Sequence, residues 1–172
     1  MSERMNLSEQ TLARFAREVA KYPADQKASA VMACLAIVQQ ELGHISADSE
    51  KEVADYLGMP PIAVHEVTTF YNMYNQQPVG AFKLNVCTNL PCQLRGGKQA
   101  LQHLCDTLGV EPHGTTADGA ITLQPCECLG ACADAPVMLV NDRQMLSFMG
   151  DERLDELVAL LRAEAARRAK QG

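Results

Sequence analysis

Two stretches of the chain, Cys87-Thr88-Asn89-Leu90-Pro91-Cys92 and Cys128-Leu129-Gly130-Ala131-Cys132, each hold a close pair of thiols. Thiolates are soft ligands, and two pairs of them separated by a helix-length stretch suit a metal centre in which each pair grips one metal atom. The seven cysteines are an odd number, and Met1-Ser2-Glu3-Arg4-Met5 leads into no apolar run of the kind a secretory signal needs. A disulfide framework is therefore the poorer reading and metal ligation the better one.

Zinc and iron compete for such a site. A closed four-cysteine zinc site uses spacers of about two to four residues, close to those seen here. Zinc ribbons, however, favour two-residue spacers on tight hairpins, whereas the first spacer here has four residues and leads into a helix start. A binuclear iron–sulfur cluster is larger and anionic, and it gains from backbone N–H donors and loop room. Gly96-Gly97 and Gly130 supply compact backbone that can approach it. A bacterial ferredoxin run would set cysteines two residues apart, and a plant-type motif would need a third cysteine where Arg95 stands. The layout favours 2Fe-2S and leaves zinc as the alternative. His44, His65, His103 and His113 are not spaced as a metal set, and none accompanies the cysteines as a Rieske centre requires. Cys92 precedes a helix, which lowers a thiol pKa, but no base is placed beside it for nucleophilic catalysis.

Helices account for the first half of the chain. Ser8 caps a helix with Leu12, Phe15 and Val19 on one face, and Tyr22-Pro23 ends the pattern. A second helix from about Asp25 carries Val31, Leu35, Val38 and Leu42 to Gly43. Ser46 caps a third with Val53 and Leu57, stopped by Gly58. Pro60-Pro61 opens a fourth through Ile62, Val64, Val67 and Phe70, and helical character runs to about Tyr74. The turn-rich Gln76-Gln77-Pro78-Val79-Gly80 then separates a helical domain, residues 1–80, from a second domain, residues 81–172.

The second domain alternates strands and helices. Phe82, Leu84 and Val86 alternate with Lys83 and Asn85 as in a half-buried strand ending at Cys87. A helix with Leu101, Leu104 and Leu108 follows Cys92 and stops at Gly109. Asp118-Gly119 turns into a strand with Ile121 and Leu123, which leads to Cys126 and Cys128. Residues 137–146 read as a hairpin turning at Asn141-Asp142, and Leu154, Leu157, Val158 and Leu161 mark a final helix. The predicted class is α/β with a mixed sheet, both cysteine pairs lying in loops beyond strand ends.

Composition narrows the functional classes. With 172 residues and 47% hydrophobic content the chain can build a core without stapling. A formal net charge of -6 and the absence of tryptophan argue against a nucleic-acid surface, and Arg162 to Lys170 read as a solvated helix end. Ala28 to Val38 is too short to span a bilayer, so the expectation is a soluble, cytoplasmic protein. Glu52 to Val64 has a helix-turn-helix cadence, and an iron–sulfur regulator is a rival reading. Ile62 to Tyr71 nevertheless contains no Lys or Arg and carries Glu66, which suits phosphates badly. A zinc-stabilised interaction module is a third reading.

The string Cys87-x4-Cys92 followed by Cys128-Leu129-Gly130-Ala131-Cys132-Ala133-Asp134-Ala135-Pro136 closely resembles the thioredoxin-like 2Fe-2S subunits of NADH:quinone oxidoreductase, respiratory complex I, called the E or 24-kDa type. Val67-Thr68-Thr69-Phe70-Tyr71-Asn72-Met73-Tyr74 and Gly43-His44-Ile45 resemble further segments of that family. The resemblance covers nearly the whole chain. It implies an N-terminal helical bundle followed by a thioredoxin-like ferredoxin domain, with Cys87, Cys92, Cys128 and Cys132 as ligands of one 2Fe-2S cluster. It further implies a non-catalytic electron-transfer subunit that exchanges electrons with the FMN of a larger, NADH-binding flavoprotein partner. Other complex I subunits would complete the assembly on the cytoplasmic face of the membrane. The equivalent small subunits of NAD-dependent formate dehydrogenases and NAD-reducing hydrogenases use the same module. Gly96-Gly97 lacks the third glycine of a dinucleotide fingerprint, so FMN and NADH are assigned to the partner alone.

Cys126 departs from that family's usual small or apolar residue, and it is expected to be a semi-buried spare thiol; Cys34 and Cys105 read as packing residues. All-cysteine ligation suggests a potential on the order of -400 mV. Glu127 should lower it, and Arg95 and Lys98 should raise it if they approach the cluster.

Overall fold

A computed structural model describes residues 7–170, so the opening Met1 to Met5 segment lies outside the described residues. The chain forms two compact units, with the boundary between Pro78 and Val79.

The first unit is helical. Helix α1, Glu9–Val19, starts where the Ser8 hydroxyl accepts the Thr11 N–H at 3.1 Å, and it buries Phe15 and Thr11, while Leu12 stays 38% exposed. The expected second helix divides in two. Ala24–Ala30 is a 3-10 segment kinked at Gln26, and the α-helix proper, α2, runs Val31–Leu42 to the left-handed Gly43. Ala24 to Ala30 has no large apolar side chain to dock and no side-chain cap, so nothing holds this stretch in an α-helix. Helix α3, Ala47–Leu57, is capped by Ser46 and closed by the left-handed Gly58; Pro60-Pro61 then starts α4, Pro61–Phe70. Phe15, Leu35, Val38, Ile45, Val53 and Val64 form the core of this unit. The expected stripe along α4 is only half correct: Val64 is buried, but Ile62 and Phe70 are 64% and 80% exposed, and Thr68 occupies the inner face instead. The Thr68 hydroxyl donates to the buried Glu50 carboxylate, a bond that lets a polar side chain sit there.

The second unit is a four-stranded sheet in the order β2-β1-β3-β4, built from β1 Phe82–Cys87, β2 Ile121–Cys126, β3 Met138–Val140 and β4 Gln144–Leu146. Strands β1 and β2 are parallel, with Phe82 opposite Ile121 and Cys87 opposite Cys126. The other pairings are antiparallel. Between β1 and β2 the chain forms a short helix α5, Leu90–Leu94, and then α6, Gly97–Leu108; helix α7, Asp151–Ala169, closes the fold. Phe82, Leu84, Val86, Ile121, Leu123, Met138 and Val140 face one way and pack with Leu104, Leu108, Leu154, Val158 and Leu161 of α6 and α7. Each such side chain contributes roughly 1.5–3 kcal/mol on burial. The opposite face of β1 is not half-exposed as its alternation predicts, because Lys83 and Asn85 are buried too.

Candidate metal centre

Parallel pairing of β1 and β2 brings their C-terminal ends to one edge of the sheet, and both cysteine loops leave from that edge. Cys87 is the last residue of β1, at the centre of the sheet, and its N–H donates to Val137 O at 3.1 Å. Because Leu84 and Val86 alternate with Asn85 and Cys87, the Cys87 thiol falls on the face away from the helix-covered core. Cys92 lies inside α5 rather than ahead of a helix, since α5 begins already at Leu90. Cys87 and Cys92 are each 1% exposed and pack with Ala135 and Val137; Cys126, Leu129 and Ala131 border the same cluster.

Gly97 accounts for this tightness. A Cβ added there would lie 2.9 Å from both Cys87 O and Cys92 O, so only glycine lets α6 start against the loop. Pro91 suits the first turn of α5, where a missing N–H costs nothing.

The second pair is placed by a loop. Cys128 is exposed, Cys132 is half-buried at the start of a 3-10 turn, Cys132–Asp134, and their sulfurs are 3.9 Å apart. Gly130 adopts a left-handed φ of 77° and directs its N–H at Cys128 Sγ, 3.4 Å away. Past the turn, the Ala135–Pro136 peptide bond is cis, and Pro136 O accepts from Met149 N–H at 3.0 Å. Two contacts join the loops: Thr88 N–H donates to Cys126 O at 3.0 Å, and Asn89 Nδ2 donates to Glu127 Oε2 at 3.3 Å.

The thiols feel one another. Burial, followed by a hydrogen bond with Cys87 and the nearness of Cys132, pushes Cys92 up to about 11. The hydrogen bond with Cys128, then burial and the nearby Cys128 and Cys87, raises Cys132. Without a cation, gathered thiols resist ionising; a bound metal reverses this, because its charge stabilises every thiolate at once. Four mutually close sulfurs, in two pairs, with an N–H aimed at one of them, form a donor set that fits a thiolate-ligated 2Fe-2S cluster. Among the described residues no group of three or more His, Cys, Asp or Glu side chains closes on a single ion.

The remaining candidates lie elsewhere or play other parts. Cys126 sits opposite Cys87 in register, and burial, followed by Cys87 and Asp142, pushes its thiol up to about 12. Cys34 is fully buried in the helical core, and Cys105 packs beside the sheet core. His65 Nδ1 lies 2.9 Å from Glu50 Oε2 and His103 Nε2 2.8 Å from Asp155 Oδ1. Sequence reasoning missed Lys83, Asn85 and Asp142, which meet on the cysteine-bearing face of the sheet. The only sequence signal was a lysine and an asparagine inside a strand that ends in a cysteine.

A parallel strand pair under two helices, with four thiols at its edge, defines a thioredoxin-like ferredoxin. The family model for thioredoxin-like 2Fe-2S ferredoxins matches residues 15–162, and the chain belongs to that family. Its relatives include the NADH-quinone oxidoreductase E-type subunit 2 of Rhizobium meliloti (strain 1021), 43% identical over 144 residues, which are 84% of this chain and 84% of that protein. NADH-quinone oxidoreductase subunit 2 of Thermus thermophilus is 40% identical over 144 residues, 84% of this chain and 80% of that protein. The fold is also that of part of an NAD+-reducing NiFe-hydrogenase, with a TM-score of 0.64 and 23% identity over 75% of this chain; the match spans 22% of the hydrogenase chain. The resemblance read from the cysteine motifs is the one these relatives bear out. No helix among the described residues is long and apolar enough to cross a membrane.

Proposed function

We propose that Cys87, Cys92, Cys128 and Cys132 hold one 2Fe-2S cluster and that the chain is an electron-transfer subunit of an NADH:quinone oxidoreductase. The observation that carries this reading is the convergence of the four thiols from two loops at one sheet edge. Such a cluster, when bound, accepts and gives up one electron at a time. The chain's own residues do the rest. Cys87 and Cys92, packed with Ala135 and Val137, exclude water from the inner side of the site. Cys128, on the exposed loop, keeps the outer side within reach of a partner. The Gly130 N–H offers the Cys128 sulfur a hydrogen bond that favours its charged form.

The partner is a flavoprotein subunit that binds FMN and NADH, and the chain itself is non-catalytic, carrying neither cofactor. The assembly sits on the cytoplasmic face of a membrane, with the helical domain, residues 1–80, and the cluster domain, residues 81–172, as its two parts. Relatives named as subunits of NADH-quinone oxidoreductase, at 40% identity or more, support this parent complex over a hydrogenase, which shares only the fold.

The test is anaerobic purification of the chain with its native companions. Two irons and two sulfides per chain, a rhombic EPR signal on reduction and a co-purifying flavoprotein are expected. Zinc in place of iron would defeat the cluster assignment. Companions lacking a flavoprotein would defeat the functional one.

A further inference from the structure

Strand β1 presents Lys83, Asn85 and Cys87 to the sheet face opposite the helix-covered core. Lys83 is 2% and Asn85 5% exposed, and both converge on one carboxylate. Lys83 Nζ lies 2.6 Å from Asp142 Oδ2, and Asn85 Nδ2 donates to Asp142 Oδ1 at 2.5 Å. The β3–β4 turn holds that carboxylate in place: Asn141 and Asp142 take left-handed φ values of 53° and 56°, and Asn141 Oδ1 accepts the Lys83 N–H at 2.7 Å. A buried ammonium needs a partner, and neutralising Lys83 is one role of Asp142. Its position gives it a second role. Asn85, which it grips, is two residues from Cys87, about 7 Å along the strand. Asp142 also acts on the thiol of Cys126, the register partner of Cys87.

We propose that Lys83 and Asp142 form a charge pair that sets the reduction potential of the centre held by Cys87, Cys92, Cys128 and Cys132, the carboxylate disfavouring its reduced form and the ammonium offsetting that effect. This rests on the 2Fe-2S reading of the site. Reduction adds one negative charge at the sheet edge, and a neighbouring fixed charge acts strongly there because the intervening face is buried. Neither side chain needs to touch the cluster.

The test is an EPR-monitored redox titration of the full chain, loaded with iron and sulfide under anaerobic conditions. Asp142→Asn keeps a residue that tolerates the left-handed turn and removes the negative charge, so its midpoint should rise. Lys83→Met keeps an unbranched apolar stem and removes the positive charge, so its midpoint should fall. Each shift should be roughly threefold to tenfold in the reduction equilibrium, tenfold being about 59 mV for a one-electron couple. The double variant should return close to the unsubstituted chain. It also covers the case in which Lys83→Met alone folds poorly, since it strands no charge. A purely structural role predicts no such opposition of sign: shifts in the same direction, or unchanged midpoints with intact EPR signals, overturn the proposal. An unsubstituted chain that takes up no iron and sulfide overturns the cluster reading itself.

Discussion

The two cysteine pairs stand at one edge of one sheet but are held by different means. Cys87 and Cys92 are each 1% exposed, fixed by the end of the central strand, by α5 and by the close approach of Gly97. Cys128 is exposed, and it is held by a loop whose local order comes from Gly130 and a single 3-10 turn. The inner half of the site is therefore part of the folded core, and it is present whether or not metal is bound. The outer half gains its order mainly from what binds there, which suits an edge where an electron must enter and leave.

Replacing the ligands one at a time separates the halves most strongly. Serine at any of Cys87, Cys92, Cys128 or Cys132 should abolish or severely reduce cluster content, read as iron, sulfide and visible absorbance. Only at the buried pair should it also destabilise the metal-free chain, by about 1–3 kcal/mol in a denaturant titration, because a hydroxyl is left there without a good partner. Equal destabilisation at Cys128 would show the outer loop to be as built-in as the inner one.

The glycines sharpen the same contrast. Gly97→Ala forces a Cβ against Cys87 O and Cys92 O and should cost about 1–3 kcal/mol as an overpacking defect. Gly130→Ala meets open space, and its cost is confined to the left-handed backbone, about 1–2 kcal/mol. That smaller cost should appear mainly as slower cluster assembly, followed by the rise of visible absorbance.

Cys126 sits between the two halves, and Cys126→Ser should leave the absorption and EPR spectra unchanged; loss of the cluster would make it a ligand. The smallest effect is expected at Glu127, an exposed carboxylate hydrogen-bonded to Asn89 across the two loops. Glu127→Gln should raise the midpoint by less than Asp142→Asn does, because solvent screens an exposed charge more than a half-buried one. A lowered midpoint would contradict the electrostatic argument.

Much of this was legible in the chain, for reasons that are local. Ser8 and Ser46 satisfy the N–H groups of the helices they precede, Gly43 and Gly58 take the left-handed position past helix ends, and Asn141-Asp142 turn a hairpin. Neighbours in sequence decide such features. The 3-10 segment Ala24–Ala30, the exposure of Ile62 and Phe70, and the start of α5 before Cys92 were not legible, because each depends on which surface packs against the segment.

The sequence by itself determined the donor chemistry: four thiols in two close pairs, each in a loop after a strand, with glycine beside both. Spacing and residue type suffice for that, since they limit which metals the loops can hold. Only the tertiary structure decided that one pair lies in the core and the other at the surface. The parallel register of β1 against β2 brought them to the same edge. The structure alone also paired Lys83 with Asp142 across 59 positions of chain, and a buried charge pair of that separation leaves no mark on local spacing.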